Sequence, residues 1–273
     1  MKRIAIFAHF DKDNIIDDYV IYYLKELKKN FEIIIFVSDS DLPKCETDKI
    51  SDLVDYIQAY HHGEYDWGSY KYGYLIARKN NLLMSADELL FCNDSVYGPV
   101  FELNNILESM QKLSCDFWGL YENKIGLNSK FEPHLQSWFL MMKKVVFLSD
   151  KFDDFILSVE KKDNKLDIIS EYEIGFTNEM SKYFSYSSAF SSDMSNAVVI
   201  AAPLLLEKSF PFIKAVVFKK YNINAKKYAS DELFRFIKKH SSRVNKINPL
   251  LKFFKTIIWN NKMKKYTINK NYW

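Results

Sequence analysis

Apolar positions in the first 120 residues fall into two alternating kinds of run. Short continuous stretches occur at Ile4–Ala8, ending at His9, and at Glu32–Val37, ending at Ser38-Asp39-Ser40; others are Asp55–Tyr60, Leu89–Cys92 and Asp116–Leu120. Their length and their β-branched and aromatic content predict strands buried on both faces. Between them the spacing is helical. Ile15, Ile16, Tyr19, Val20, Tyr23, Leu24 and Leu27 share one broad face of a helix that Asp13 can cap and that runs to about Lys29. Further helices are predicted over Tyr70–Lys79 and around Leu103–Leu113. Strands alternating with helices predict an α/β fold with a parallel sheet and right-handed crossovers. Beyond residue 120 the pattern loosens: His134–Phe147 reads as a long strand or a hairpin, and Lys151–Lys182 as mainly helical.

With 273 residues the chain is long enough for one large domain and a helical appendage. Hydrophobic residues make up 48%, and there are only 7 Gly, which excludes a disordered or collagen-like chain. Cys45, Cys92 and Cys115 have no paired spacing, so neither a disulfide framework nor a zinc knuckle is expected, and a reducing cytosol fits. Met1-Lys2-Arg3 leads directly into a strand, so no secretory signal is expected. The apolar run Ala197–Leu206 is too short to cross a bilayer and contains Pro203.

Charge divides the chain near residue 213. From Lys214 onward there are 16 Lys or Arg against only Asp231 and Glu232, an excess of +14; with a net charge of +3, the preceding body carries −11. The expected division is therefore a body over 1–213 and a basic, aromatic-rich helical extension over 214–273. Phe253, Phe254, Ile257, Ile258, Trp259, Tyr266 and Trp273 interleave with the cations, the composition of a segment lying on an anionic membrane surface. A basic helix packed on the acidic body is the alternative. No Arg-rich or recognised nucleic-acid motif accompanies the charge, so no nucleic-acid partner is expected.

Candidate chemistry begins at residues 89–99, where an apolar strand runs into Asn93-Asp94-Ser95 and then a Gly98-Pro99 break. This pattern delivers a polar group to the carboxyl edge of a sheet, where ligands bind. A carboxylate such as Asp94 would suit a hard divalent cation and the diphosphate it neutralises, although a helix cap or turn uses the same residues. Residues 61–73 follow a strand and open a helix, with Gly63 and Gly68 permitting close backbone approach. Asp66 stands at that helix entrance, as a ligand or as an N-cap.

Five patches follow one another in order: Tyr65-Asp66-Trp67-Gly68-Ser69-Tyr70-Lys71, Asn93-Asp94-Ser95-Val96-Tyr97-Gly98-Pro99, Asp-Phe-Trp-Gly at 116–119, His-Leu-Gln-Ser-Trp-Phe at 134–139 and Tyr-Glu-Ile-Gly-Phe-Thr at 172–177. From Ala8-His9-Phe10 through Pro211-Phe212-Ile213-Lys214 the chain resembles the rhamnan synthesis protein F family of glycosyltransferases. The resemblance implies a GT-A-like, Rossmann-type, mostly parallel sheet flanked by helices. It implies a nucleoside-diphosphate-sugar donor, usually dTDP-L-rhamnose, and a role in building rhamnose-containing cell-surface polysaccharide. GDP-D-rhamnose or a UDP-hexose is the alternative donor, and a non-catalytic scaffold of the polysaccharide machinery the alternative role. A lipid-linked oligosaccharide acceptor would match the basic extension, with the protein cytoplasmic and peripheral on the inner face of the membrane.

The resemblance also suggests residue roles. Asp94 stands where GT-A enzymes carry an Asp-x-Asp motif, here with one carboxylate, so a Mg²⁺ or Mn²⁺ ion would depend on Asp94 alone. Glu173 stands where inverting enzymes place the base that takes the acceptor proton, with Glu171 two residues away as a solvent-facing acid. Asp66, Asn93 and Ser95 join the donor site. His9 and Asp39, each ending a strand, would meet the nucleoside or cap a loop. His134 would donate to the diphosphate or acceptor, or fill the core, and Lys71 and Lys214 are candidates for diphosphate pairing.

Overall fold

The computed structural model describes residues 1–126, 132–194, 196–216 and 268–271. An alternating half comes first: β1 (Arg3–His9), α1 (Asp18–Lys28), β2 (Ile33–Ser38), α2 (Lys44–Thr47), β3 (Tyr56–Ala59), α3 (Tyr65–Lys79) and β4 (Glu88–Asn93). Then follow β5 (Val96–Tyr97), α4 (Leu103–Gln111), β6 (Phe117–Asn123), β7 (His134–Leu135), β8 (Phe139–Lys143), α5 (Lys144–Phe147) and α6 (Asp150–Leu157). The remainder is α7 (Lys165–Ile168), a π-helical turn (Ile169–Ile174), α8 (Gly175–Met180), β9 (Tyr186–Ser192), α9 (Ala197–Ile200), α10 (Ala202–Glu207), β10 (Ile213–Lys214) and β11 (Ile268–Lys270).

The main sheet has the order β11-β9-β6-β8-β4-β1-β2-β3, with β7 added to β6. β1 pairs parallel with both β2 and β4, β2 with β3, and β6 with β9. β8 is inserted antiparallel between β4 and β6, which keeps those two strands pointing the same way. This is the GT-A-like arrangement that the resemblance implies.

Side chains of successive strand residues face opposite sides, so each central strand feeds two cores. On one side Phe7, Phe36, Leu90 and Cys92 meet Tyr23, Leu24 and Leu27 of α1 and Ile106 and Met110 of α4. On the other, Ile6, Ile35, Leu89 and Phe91 meet Trp67, Tyr70 and Tyr74 of α3 and Phe152, Phe176 and Met180 of α6 and α8. The Tyr70 and Phe91 rings stack with centroids 4.5 Å apart, a pairing worth about 0.5–1.5 kcal/mol beyond its buried area. Gly73 lets α3 approach β1 closely: a Cβ there would lie 2.3 Å from Ile6 Cγ2.

Several boundaries differ from the sequence reading. α1 starts at Asp18 and is capped by Asp17, whereas Asp13 gives its N–H to Asp11 Oδ1 and is followed by Asn14 at φ 54°. α3 begins at Tyr65, so Asp66 lies in its first turn and does not cap it. The His134–Phe147 segment becomes two strands and a short helix. The helical stretch after residue 150 is broken between Ser158 and Asn164 and contains the π turn. No helix among the described residues is long and apolar enough to cross a membrane.

Candidate functional site

In an open α/β sheet, ligands bind beyond the carboxyl ends of the strands, where neighbouring connections leave in opposite directions. β1 and β4 are such a pair, since the sheet extends from β1 to β2 and β3 on one side and from β4 to β8 and β6 on the other. Their carboxyl ends deliver His9, Asn93 and Asp94 to this edge. β8 runs the opposite way, so Ser137 and Trp138 arrive there as it begins. α3 follows the carboxyl end of β3 and adds Asp66.

Asn93 joins these pieces. Its Nδ2 donates to Asp66 Oδ2 at 2.8 Å, and its Oδ1 accepts the Ser95 N–H at 3.1 Å and the Ser95 hydroxyl at 2.5 Å. Lys214 Nζ donates to Ser95 Oγ at 2.8 Å and lies 4.9 Å from the centre of the Trp138 ring. β10 holds Lys214 opposite Val96 of β5, so a two-stranded ribbon carries this cation across the edge of the main sheet. On the far side, Glu173 Oε1 accepts the Ser137 N–H at 3.2 Å, while the Tyr70 hydroxyl donates to the Ser137 carbonyl at 3.0 Å. Glu173 lies in the π turn, a helix irregularity frequent at functional sites.

The charges act on one another. Loss of hydration brings the Lys214 ammonium down to about 8, even though Glu173, Asp66 and Asp94 favour its charged form; Lys165 opposes it. Desolvation pushes the Asp66 carboxyl up, with Lys165 and Lys214 pulling the other way. Asp94 Oδ2 accepts the Phe10 N–H at 3.3 Å and lies 3.8 Å from His9 Nε2, whose Nδ1 meets Ser38 Oγ at 2.8 Å.

Asp66, Asn93, Asp94, Ser95, Glu173, Lys214 and His9 are thus brought together. Asp39 is engaged elsewhere, although its charge reaches Asp66. Its Oδ1 accepts the N–H groups of His62 and Gly63 at 2.7 and 2.8 Å, setting the turn that enters α3. Lys71 does not join the site: its ammonium is held by the Glu64 carboxylate and the Val159 carbonyl. His134 is buried, with Nδ1 on the Glu132 carbonyl at 2.9 Å. Glu171 is exposed and ion-paired to Lys162 at 2.7 Å.

Trp138, Ser137, Tyr70 and Lys165 are site residues that sequence reasoning did not assign. The first three lie in the patches that carry the resemblance, whereas Lys165 sits in a run of charges with no signal of its own. Among the described residues no group of three or more His, Cys, Asp or Glu converges on a metal position. A single carboxylate still fits Mg²⁺, which is commonly held by one or two carboxylates and the substrate's phosphates.

The chain is 26% identical to the virulence protein VirA of Vibrio anguillarum, with 78% of each chain covered. It is 24% identical to the uncharacterized protein y4gN of Sinorhizobium fredii over 53% of this chain, and spans 37% of that relative's length. Among solved structures it is similar to a glycosyltransferase involved in glycosylation of the major capsid of PBCV-1. That likeness has a TM-score of 0.41 at 11% identity and covers 87% of this chain and 98% of the other. The model of the family described as rhamnan synthesis protein F matches residues 34–263, well over half of the chain and inclusive of every charged site residue but His9. On that match, the chain belongs to the rhamnan synthesis protein F family, with a sheet of GT-A-like arrangement.

Proposed function

We propose that the protein is an inverting rhamnosyltransferase that extends a cell-surface polysaccharide on a lipid carrier. Its donor would be dTDP-L-rhamnose, with GDP-D-rhamnose or a UDP-hexose as the alternative. The observation that carries the reading is the meeting of Glu173, Asp66, Asp94 and Lys214 at the β1–β4 carboxyl edge. In the proposed reaction an acceptor hydroxyl oxygen attacks the anomeric carbon while the bond from that carbon to the diphosphate breaks. Glu173 takes the hydroxyl proton, and the nucleoside diphosphate leaves with the bonding electrons, so a β-linked donor gives an inverted product. Lys214 pairs with the leaving group, and Asp66, Asn93 and Ser95 orient the donor. A divalent cation on Asp94 would add charge compensation for the diphosphate. The family description supports rhamnose, and the single carboxylate of the triplet supports no more than one protein ligand of this kind.

A thermal-shift screen tests the donor class. A ligand at a hundredfold excess over its Kd stabilises the folded state by about 2.7 kcal/mol. The midpoint should rise more with dTDP than with UDP or GDP, with or without Mg²⁺ or Mn²⁺; no response to any of them removes the reading. Affinity for the diphosphate should also fall as pH rises through about 8, because the Lys214 ammonium then loses its proton. Lys214→Arg, which stays charged, should flatten that limb.

The membrane contact belongs to this proposal as well, although most of the basic extension, residues 217–267, lies outside the described residues. Excess positive charge with interspersed aromatics supports a peripheral position on an anionic cytoplasmic leaflet. Vesicles containing anionic lipid should co-sediment the protein at low salt and release it at high salt. Lys252, Lys255, Lys262, Lys264 and Lys265 changed together to Gln should weaken pelleting. Equal pelleting with neutral vesicles would mean that the charge serves the acidic body.

A further inference from the structure

Lys165 opens α7, and its ammonium makes no hydrogen bond or ion pair with another described residue. Its neighbour Lys162, by contrast, is held by Glu160 and Glu171. Glu173 stands eight positions after Lys165. On a regular α-helix that interval overshoots two turns by almost a quarter turn. The wider π turn at Ile169–Ile174 absorbs part of that excess, which favours a common face for the two residues. The electrostatics agree with this placement, since Lys165 and Glu173 each act on both Asp66 and Lys214.

The two lysines differ in how they are held. Lys214 is fixed by Ser95 Oγ and the Trp138 ring, whereas Lys165 is exposed on a long flexible stem. Three carboxylates, Glu173, Asp66 and Asp94, also act on Lys214 electrostatically and offset part of its positive charge. A diphosphate gains negative charge as its bond to the sugar breaks, so a further cation placed where that charge develops favours departure, with or without a metal ion on Asp94.

We propose that Lys165 is this second cation, closing from the rim over the donor's diphosphate opposite Lys214, so that the leaving group departs between a fixed and a mobile ammonium. The inference rests on the nucleotide-sugar reading above and adds a residue to it. The π turn then has a purpose: it sets the base and the mobile cation on one face, so that the base can work while the leaving group is held.

Calorimetric titration of dTDP, UDP and GDP, and of thymidine, uridine and guanosine, tests it on the full chain. Lys165→Met should weaken the preferred diphosphate about tenfold, the loss of one charge-assisted contact, and leave the matching nucleoside unaffected. Lys165→Arg should recover most of that loss, and Lys79→Met, an exposed lysine at the far end of α3, should change nothing. Diphosphate binding by Lys165→Met within twofold of wild type overturns the inference while sparing the donor reading. An equal loss for the nucleoside also overturns it, because the effect is then one of structure rather than charge. A wild-type protein that binds none of the diphosphates removes the donor reading and this inference with it.

Discussion

Glu173→Gln is expected to lower sugar transfer by roughly 10²–10⁴-fold, the usual loss of a general base, while donor binding below pH 7 stays near wild type. The amide keeps the shape of the carboxylate and its oxygen can still accept the Ser137 N–H, but it cannot take a proton from the acceptor. Glu171 offers no ready replacement, being exposed and paired to Lys162. A second effect follows from the same charge. Of the carboxylates that act on Lys214, Glu173 does most to favour its charged form, so its removal should let that ammonium lose its proton at a lower pH. The alkaline limb of diphosphate binding should shift in the same direction. Steady-state transfer and a pH series of nucleotide titrations read both effects. Turnover within a few fold of wild type would take the base role from Glu173 and turn attention to Glu171.

Asp94→Ala should weaken donor binding and turnover together, with turnover down by about 10²–10³-fold if Asp94 stabilises developing charge directly or through a cation. The carboxylate also holds the Phe10 N–H, so Asp94→Asn is the companion variant that keeps a hydrogen-bond acceptor at this position. A chelator separates the two roles. Activity lost on chelation and restored by Mg²⁺ or Mn²⁺ would support Asp94 as the metal ligand. Activity indifferent to chelator but lost in both variants would leave Asp94 as a sugar or diphosphate contact and end the metal role. If neither treatment matters, both roles fail.

The strands of the alternating half were legible because continuous apolar runs leave little choice of structure, and β1, β2 and β4 lie within a residue or two of their predicted bounds. Helix starts were less so. Asp13 and Asp17 are equally good caps by composition, and the left-handed backbone at Asn14 decided between them. The early start of α3 depends on the turn that Asp39 builds from the far end of β2, a contact between residues more than 20 positions apart. The direction of β8 had no periodic signature, because hydrophobic alternation is the same in parallel and antiparallel strands. Lys71 and Lys165 illustrate the limit at the site. Both are helical lysines; Lys71 meets the carboxylate of Glu64, the residue that caps its own helix, whereas Lys165 acts electrostatically on Asp66 of another element. Charge alone divided the chain between Ile213 and Lys214, yet those two residues form one strand paired with β5.

β11 gives the basic extension a second root. Ile268, Asn269 and Lys270 pair with Ser192, Ser191 and Phe190 of β9, and the Asn271 N–H reaches the Ala189 carbonyl at 2.9 Å. Both flanks of the extension are therefore fastened to the body, one by the β5–β10 ribbon at the reaction edge and one along the outermost strand of the main sheet. A single proteolytic nick within it would leave two pieces still clasped to the body. Trimming the chain before Ile268 would instead uncover the backbone donors and acceptors of β9, an open strand on which another polypeptide can pair. Shortened forms should then self-associate for a reason unrelated to lost charge.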